Sequence, residues 1–224
     1  MEARSRLRRL HSITGLVPAG GFLAFHLWTN LAAARGADAY DAAARRLQEM
    51  PFSLVAEILL IALPLAFHGV YGLYIMATES AGASVPPSTA APTPLRRGLS
   101  RLQRATGVFV FAFLFFHLWT TRLVQVRDHA SVDLFRIVQA ALGSRWIEAA
   151  YFAGVLAAIL HVSAGVWTFA DTWGLARTRG ARTAAGVLAV AVFAVLTTWG
   201  VVSLNGFALR PHGPASLIIR AFLR

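Results

Sequence analysis

Seven histidines occur in this chain, and four of them, His26, His68, His117 and His161, lie within long apolar stretches, one in each of the first four such stretches. An ionisable side chain inside a hydrocarbon layer is costly and usually faces a cofactor, a water cavity or a partner. Four of them ask for one common explanation. Neutral imidazole is among the commonest axial ligands of haem iron, and with two ligands to each iron four imidazoles serve two bis-histidine haems. A tetrahedral zinc ion would need all four at one depth. A single buried histidine would be explained as well by an interhelical hydrogen bond.

Spacing separates the four into two couples. His26 stands nine residues before Arg35, and His117 stands five before Arg122 and ten before Arg127. At about 1.5 Å of rise per helical residue, both lie roughly 8–15 Å below one membrane boundary. His68 is seventeen residues past Pro51 and His161 sixteen past Arg145, which sets that couple roughly 20–25 Å from the same boundary. The count therefore pairs His26 with His117 and His68 with His161, in two planes. Side chains that face one another at one depth of a four-helix bundle can share a cofactor in its core. The spacing fits two stacked haem b groups and disfavours zinc.

The elements that position these residues follow from hydropathy. Crossing about 30 Å of hydrocarbon takes roughly 20 mainly apolar residues. Five stretches qualify, near 13–34, 54–78, 102–124, 147–172 and 184–207. The expected fold is an all-α integral membrane protein, a single membrane domain over 1–224 with five transmembrane helices, the first four forming a dihaem-binding bundle. Composition agrees: of 224 residues 57% are hydrophobic and only 14% charged, outside the range of soluble domains. Every basic residue is an arginine, and the formal charge is +11. No soluble basic face is evident, so nucleic acid is not expected as a partner. No cysteine is present, which excludes thiolate-ligated iron–sulfur clusters and c-type haem attachment in this chain.

Arg4, Arg6, Arg8 and Arg9 precede the first stretch in the manner of a signal peptide, but that stretch is too long and contains His26, so it reads as a retained helix. Residues 80–98 are rich in Pro, Ser, Ala and Thr and read as a flexible connector. The connections 35–52 and 125–146 carry short amphipathic patterns and are expected to form interfacial helices. Eleven arginines, in clusters at Arg4–Arg9, Arg96–Arg104 and Arg177–Arg182, fall on one side and ten on the other. The compactness of those clusters places the N-terminus in the cytoplasm. An internal echo suggests a duplicated design: His26-Leu27-Trp28-Thr29 returns as His117-Leu118-Trp119-Thr120, each following a Thr-Gly pair, Thr14-Gly15 and Thr106-Gly107.

Other residues have two readings each. Gly15, eleven residues before His26 on the same face, with Gly69 and Gly165 near the other ligands, could make room for a porphyrin edge or simply let helices pack closely. Haem propionates favour guanidinium partners at the interface. Arg8, Arg9, Arg104 and Arg177 on the inner side, and Arg122 on the outer, are candidates, though each also suits a topology anchor. His11 could bond a propionate or be an ordinary interfacial residue, and His129 and His212 are expected in solvent. Glu57 lies eleven residues before His68. It is a candidate for protonation at a quinone site or a helix-start carboxylate among headgroups. Asp171 receives no role.

Arg9-Leu10-His11-Ser12 leading to Gly15, Ala33-Ala34-Arg35-Gly36-Ala37, Leu63-Pro64 before His68-Gly69-Val70-Tyr71-Gly72, Arg101-Leu102-Gln103-Arg104 before Thr106-Gly107, and His161 to Trp173-Gly174 together resemble the single-chain dihaem cytochrome b of succinate:quinone oxidoreductases. The resemblance covers about residues 8 to 205, with the motifs in family order. It implies that His68 and His161 ligate the haem proximal to a flavoprotein and an iron–sulfur subunit, and that His26 and His117 ligate the distal one. It also implies electron transfer from succinate to a quinone, most often menaquinone, with the reverse direction open. Fumarate-reducing relatives carry a glutamate two residues before the helix-four ligand, where this chain has Ile159, which favours succinate oxidation. A cytochrome b of a hydrogenase, formate dehydrogenase or bc-type complex is the alternative of the same kind, and a haem-free transporter the alternative of a different one.

Overall fold

A computed structural model describes residues 2–78, 94–127 and 133–208. Among these residues the chain is helical and contains no strand. Five helices are long and apolar enough to cross a membrane: Ser5–Arg35, Ser53–Thr78, Arg97–Val126, Arg145–Thr172 and Arg179–Phe207. They contain the five expected spans and run beyond most of them. Arginine is a good helix former, and its long side chain lets the head reach water from a helix end, so the Arg-rich leaders continue the helices. The third span's helix begins at Pro94, so 94–98 of the expected connector is helical. Proline at a first helical position forfeits an N–H that would lack a partner there anyway. Residues 80–93 lie outside the described residues, as do His129 and His212.

Two of the spans widen into π-helical turns, Gly15–Gly20 and Glu57–Ala62. Pro18 sits inside the first, and Pro64 follows the second. Proline cannot donate to the carbonyl four residues back and crowds it, and such a local mismatch is relieved by a wider turn. Between spans, helices form at Ala37–Gln48 and Leu134–Ala141, within the two connections expected to hold them. Gly36, at φ 101°, breaks the first span from Ala37–Gln48, a conformation that only glycine adopts freely. Asp133 caps Leu134–Ala141, its carboxylate accepting the Arg136 amide at 3.2 Å.

The chain divides into two compact units whose boundaries fall inside the spans: Met1–Leu23, Leu54–Phe111 and Ala157–Val195 in one, Ala24–Ser53, Ala112–Leu156 and Leu196–Arg224 in the other. In the first, small residues receive large ones. Gly69 lies under the Phe111 ring, Gly20 against Val162 and Gly186 against Trp167. In the second, Ala33, Phe135, Leu142, Tyr151, Leu204 and Phe207 form a buried core. Tyr40 meets Phe207 edge-on at 4.8 Å, and the Ser203 hydroxyl donates to the Leu27 carbonyl at 3.3 Å. Trp119, Val190 and Leu60 are 70%, 68% and 64% exposed. Apolar surface on that scale is what a lipid-solvated exterior requires and a water-soluble one avoids.

Candidate functional site

The four span histidines meet as two couples, one in each unit. In the first unit the His68 and His161 ring centroids are 6.0 Å apart with planes crossed at 76°. In the second, His26 and His117 stand 5.9 Å apart at 74°. These are the couples that depth counting pairs. An imidazole nitrogen holds a first-row metal at about 2 Å, so two rings bracketing one ion from opposite sides have centroids about 6 Å apart. Both couples have that separation. Among the described residues no group of three or more His, Cys, Asp or Glu could hold a metal ion. Each couple offers two donors, which suits a metal whose remaining ligands come with its cofactor.

The first couple is held by the main chain. His68 Nδ1 donates to the His11 carbonyl at 2.9 Å, and His161 Nδ1 donates to the Gln103 carbonyl at 3.1 Å. A proton fixed on Nδ1 leaves Nε2 as the nitrogen with a free electron pair, the state a metal needs. His11 covers one face of His68, with rings stacked at 4.1 Å and 10°. Neither the carbonyls nor this stacking is visible in hydropathy or residue type. Gly15 also departs from expectation: it lies against His68 in the same unit, where a side chain would run into the imidazole. It seats a neighbouring helix's histidine, and a π-helical turn that begins at Gly15 changes the register on which the face count to His26 relied.

The second couple is held differently. The Asn30 amide donates to His26 Nε2 at 3.1 Å. His117 Nδ1 is buried with no hydrogen-bond partner, and an orphaned polar atom of this kind costs about 1–3 kcal/mol unless something satisfies it. Phe113 and Tyr151 pack on the His117 ring at 5.9 and 5.8 Å. The Tyr151 hydroxyl is hydrogen-bonded to Thr120. Ring spacing fits a shared metal in both couples.

Of the arginine candidates, Arg9 lies over the Trp173 ring at 5.6 Å, a cation–π contact that joins the start of the first span to the end of the fourth within one unit. The Arg177 guanidinium folds over Gly174, which ends the fourth span at φ 69°. Arg122 donates to Gln125 at 2.9 Å. Arg8, Arg104 and Glu57 are half-buried, as is Asp171. Ile159 is fully buried at 2% exposure, so that position carries an apolar core side chain.

A family model described as succinate dehydrogenase/fumarate reductase transmembrane subunit matches this chain over residues 4–95 and 91–198. The chain is also 36% identical over 201 residues to the succinate dehydrogenase cytochrome b558 subunit of Bacillus subtilis (strain 168), an alignment that covers 89% of this chain and 95% of that relative. No solved structure matches it.

Proposed function

The chain belongs to the succinate dehydrogenase/fumarate reductase transmembrane subunit family, a multi-pass membrane subunit that associates with the other subunits of such a complex, and on that premise we propose that it is the dihaem cytochrome b anchor of a succinate:quinone oxidoreductase. When bound, two b-type haems supply one-electron transfer between an iron–sulfur partner and a quinone, with menaquinone the expected species. The observation that carries the reading is the pair of crossed imidazole couples at 6.0 and 5.9 Å. His68 and His161 hold the haem proximal to the partner subunits, and His26 and His117 hold the distal one.

The chain's own residues do the binding and orienting. The His11 and Gln103 carbonyls fix the proximal rings, while Phe113 and Tyr151 wall the distal one. Arg8, Arg9, Arg104 and Arg177 are the inner-side candidates for propionate contacts, and Glu57 is the candidate carboxylate for a quinone site. Succinate chemistry belongs to a flavoprotein partner. With no cysteine here, the iron–sulfur relay belongs to another partner as well. Buried Ile159, in place of an acid, supports the succinate-oxidising direction. The arginine clusters support a cytoplasmic membrane location with the N-terminus inside.

Leucine substitutions test the assignment. His68→Leu and His161→Leu each remove the same one of two b-haem signals in a reduced-minus-oxidised spectrum, and His26→Leu and His117→Leu remove the other. Variants of one couple that abolish different signals would contradict it.

A further inference from the structure

The seat beneath His68 occurs a second time, beneath His161. Leu10, Thr14 and Gly15 recur 92 positions later as Leu102, Thr106 and Gly107, with Gln103 in the place of His11. The two sets share three bonds, and the second adds one, the Thr106 hydroxyl lying 3.4 Å from His161 Nδ1. The Thr14 hydroxyl donates to the Leu10 and His11 carbonyls at 2.8 and 3.1 Å, and the Thr106 hydroxyl to the Leu102 and Gln103 carbonyls at 2.7 and 3.3 Å. The carbonyl at the second position accepts the histidine Nδ1 in both. The glycine backs the imidazole in both: a Cβ on Gly15 would run into the His68 ring, and one on Gly107 would stand 3.0 Å from His161 Cε1. The second-position side chain reaches the glycine four residues after the histidine in both, His11 Nε2 lying 3.0 Å from a Cβ on Gly72 and Gln103 Nε2 lying 3.6 Å from one on Gly165. Four separate correspondences of this kind are not a consequence of apolar packing, which has no preference for a particular carbonyl.

We propose that Gly15 and Gly107, with the main-chain carbonyls of His11 and Gln103, are two copies of one positioning device that sets the ring planes of His68 and His161 for a single haem. The inference rests on the haem reading above. Glycine is required because the imidazole must come close enough to the helix for Nδ1–H to reach a carbonyl one turn back. A methyl group at that point pushes the ring off its acceptor and changes its angle to the partner ring. Outer-sphere partners of this type are worth about 10–100-fold in metal retention. At the other couple, a side-chain amide contacts His26 and an aromatic ring packs on His117.

The test uses the whole complex in native membranes and reads the low-spin electron paramagnetic resonance signals of its haems, whose largest g value reports the angle between axial rings. His68→Leu and His26→Leu first assign each signal to a couple. Gly15→Ala is then expected to shift or remove the His68/His161 signal and leave the other in place. Gly107→Ala, whose added carbon would stand 3.0 Å from the nearest atom of the His161 ring where that on Gly15 would run into the His68 ring, is expected to shift the same signal by less. Gly21→Ala, with nothing within 4 Å of the added carbon, is expected to shift neither. If Gly15→Ala does not assemble, Gly107→Ala alone decides. An unmoved His68/His161 signal in Gly107→Ala, or equal shifts of both signals, overturns the seat while the haem reading stands. Absence of haem signals from the unaltered complex overturns both.

Discussion

Asp41 carries a buried carboxyl whose Oδ1 accepts the Phe135 amide at 3.0 Å, tying Ala37–Gln48 to Leu134–Ala141. Burial pushes its pKa up from the ordinary 3.8. The nearby Asp133 carboxyl adds to the rise, while the Phe135 amide and Arg45 oppose it. Burial, followed by the Asp41 charge, also lifts Tyr40 to about 12, so that phenol stays neutral. A carboxyl with a raised folded pKa stabilises fully below its unfolded value, and that contribution is lost as pH rises through the folded pKa. The thermal midpoint in detergent is therefore expected to fall as pH rises above 3.8, and Asp41→Asn, which keeps an acceptor, flattens the dependence. Asp41→Ala leaves the amide unpaired and costs about 1–3 kcal/mol. At the second couple, Asn30→Leu is expected to retain the His26/His117 haem signal that His26→Leu abolishes, because the asparagine only occupies a nitrogen that iron would take. The four span histidines were legible in the sequence because an ionisable residue stands out against an apolar run. Asp41 was not, since its partner is 94 positions away and only the fold brings them together.

Among the elements, the spans followed from hydropathy alone, whereas their ends did not: Arg-rich leaders extend the helices, and Pro94 starts one inside an expected connector. The π-helical turn at Gly15–Gly20 was likewise hidden, and it is why a face count from Gly15 to His26 fails. Contacts between elements turn on close approach of main chains. A Cβ on Gly206 would stand 2.6 Å from the Ala33 carbonyl carbon and the Ala34 nitrogen, atoms that cannot rotate away. Gly206→Ala is expected to destabilise the protein by about 1–3 kcal/mol, the usual cost of overpacking. Its thermal midpoint in detergent should fall accordingly, with Gly21→Ala as the neutral comparison. The half-visible duplication shows the limits of pattern reading: the repeated His-Leu-Trp-Thr is plain in the sequence, but the repeated seat depends on carbonyls, which have no letter.

For the molecule as a whole, the proposed orientation, with the arginine clusters and the N-terminus on the cytoplasmic side, predicts that a reporter fused to the N-terminus is active only when it is of a kind that needs the cytoplasm. The absence of cysteine and the four span imidazoles are the basis of the proposed division of labour, with iron–sulfur and flavin chemistry in partners and two haems in this chain. Haem content per chain, measured on the purified complex as the pyridine adduct, tests that division most directly. Two haem b per copy of this chain are expected, falling to one in His68→Leu. One haem or none in the unaltered complex would contradict it.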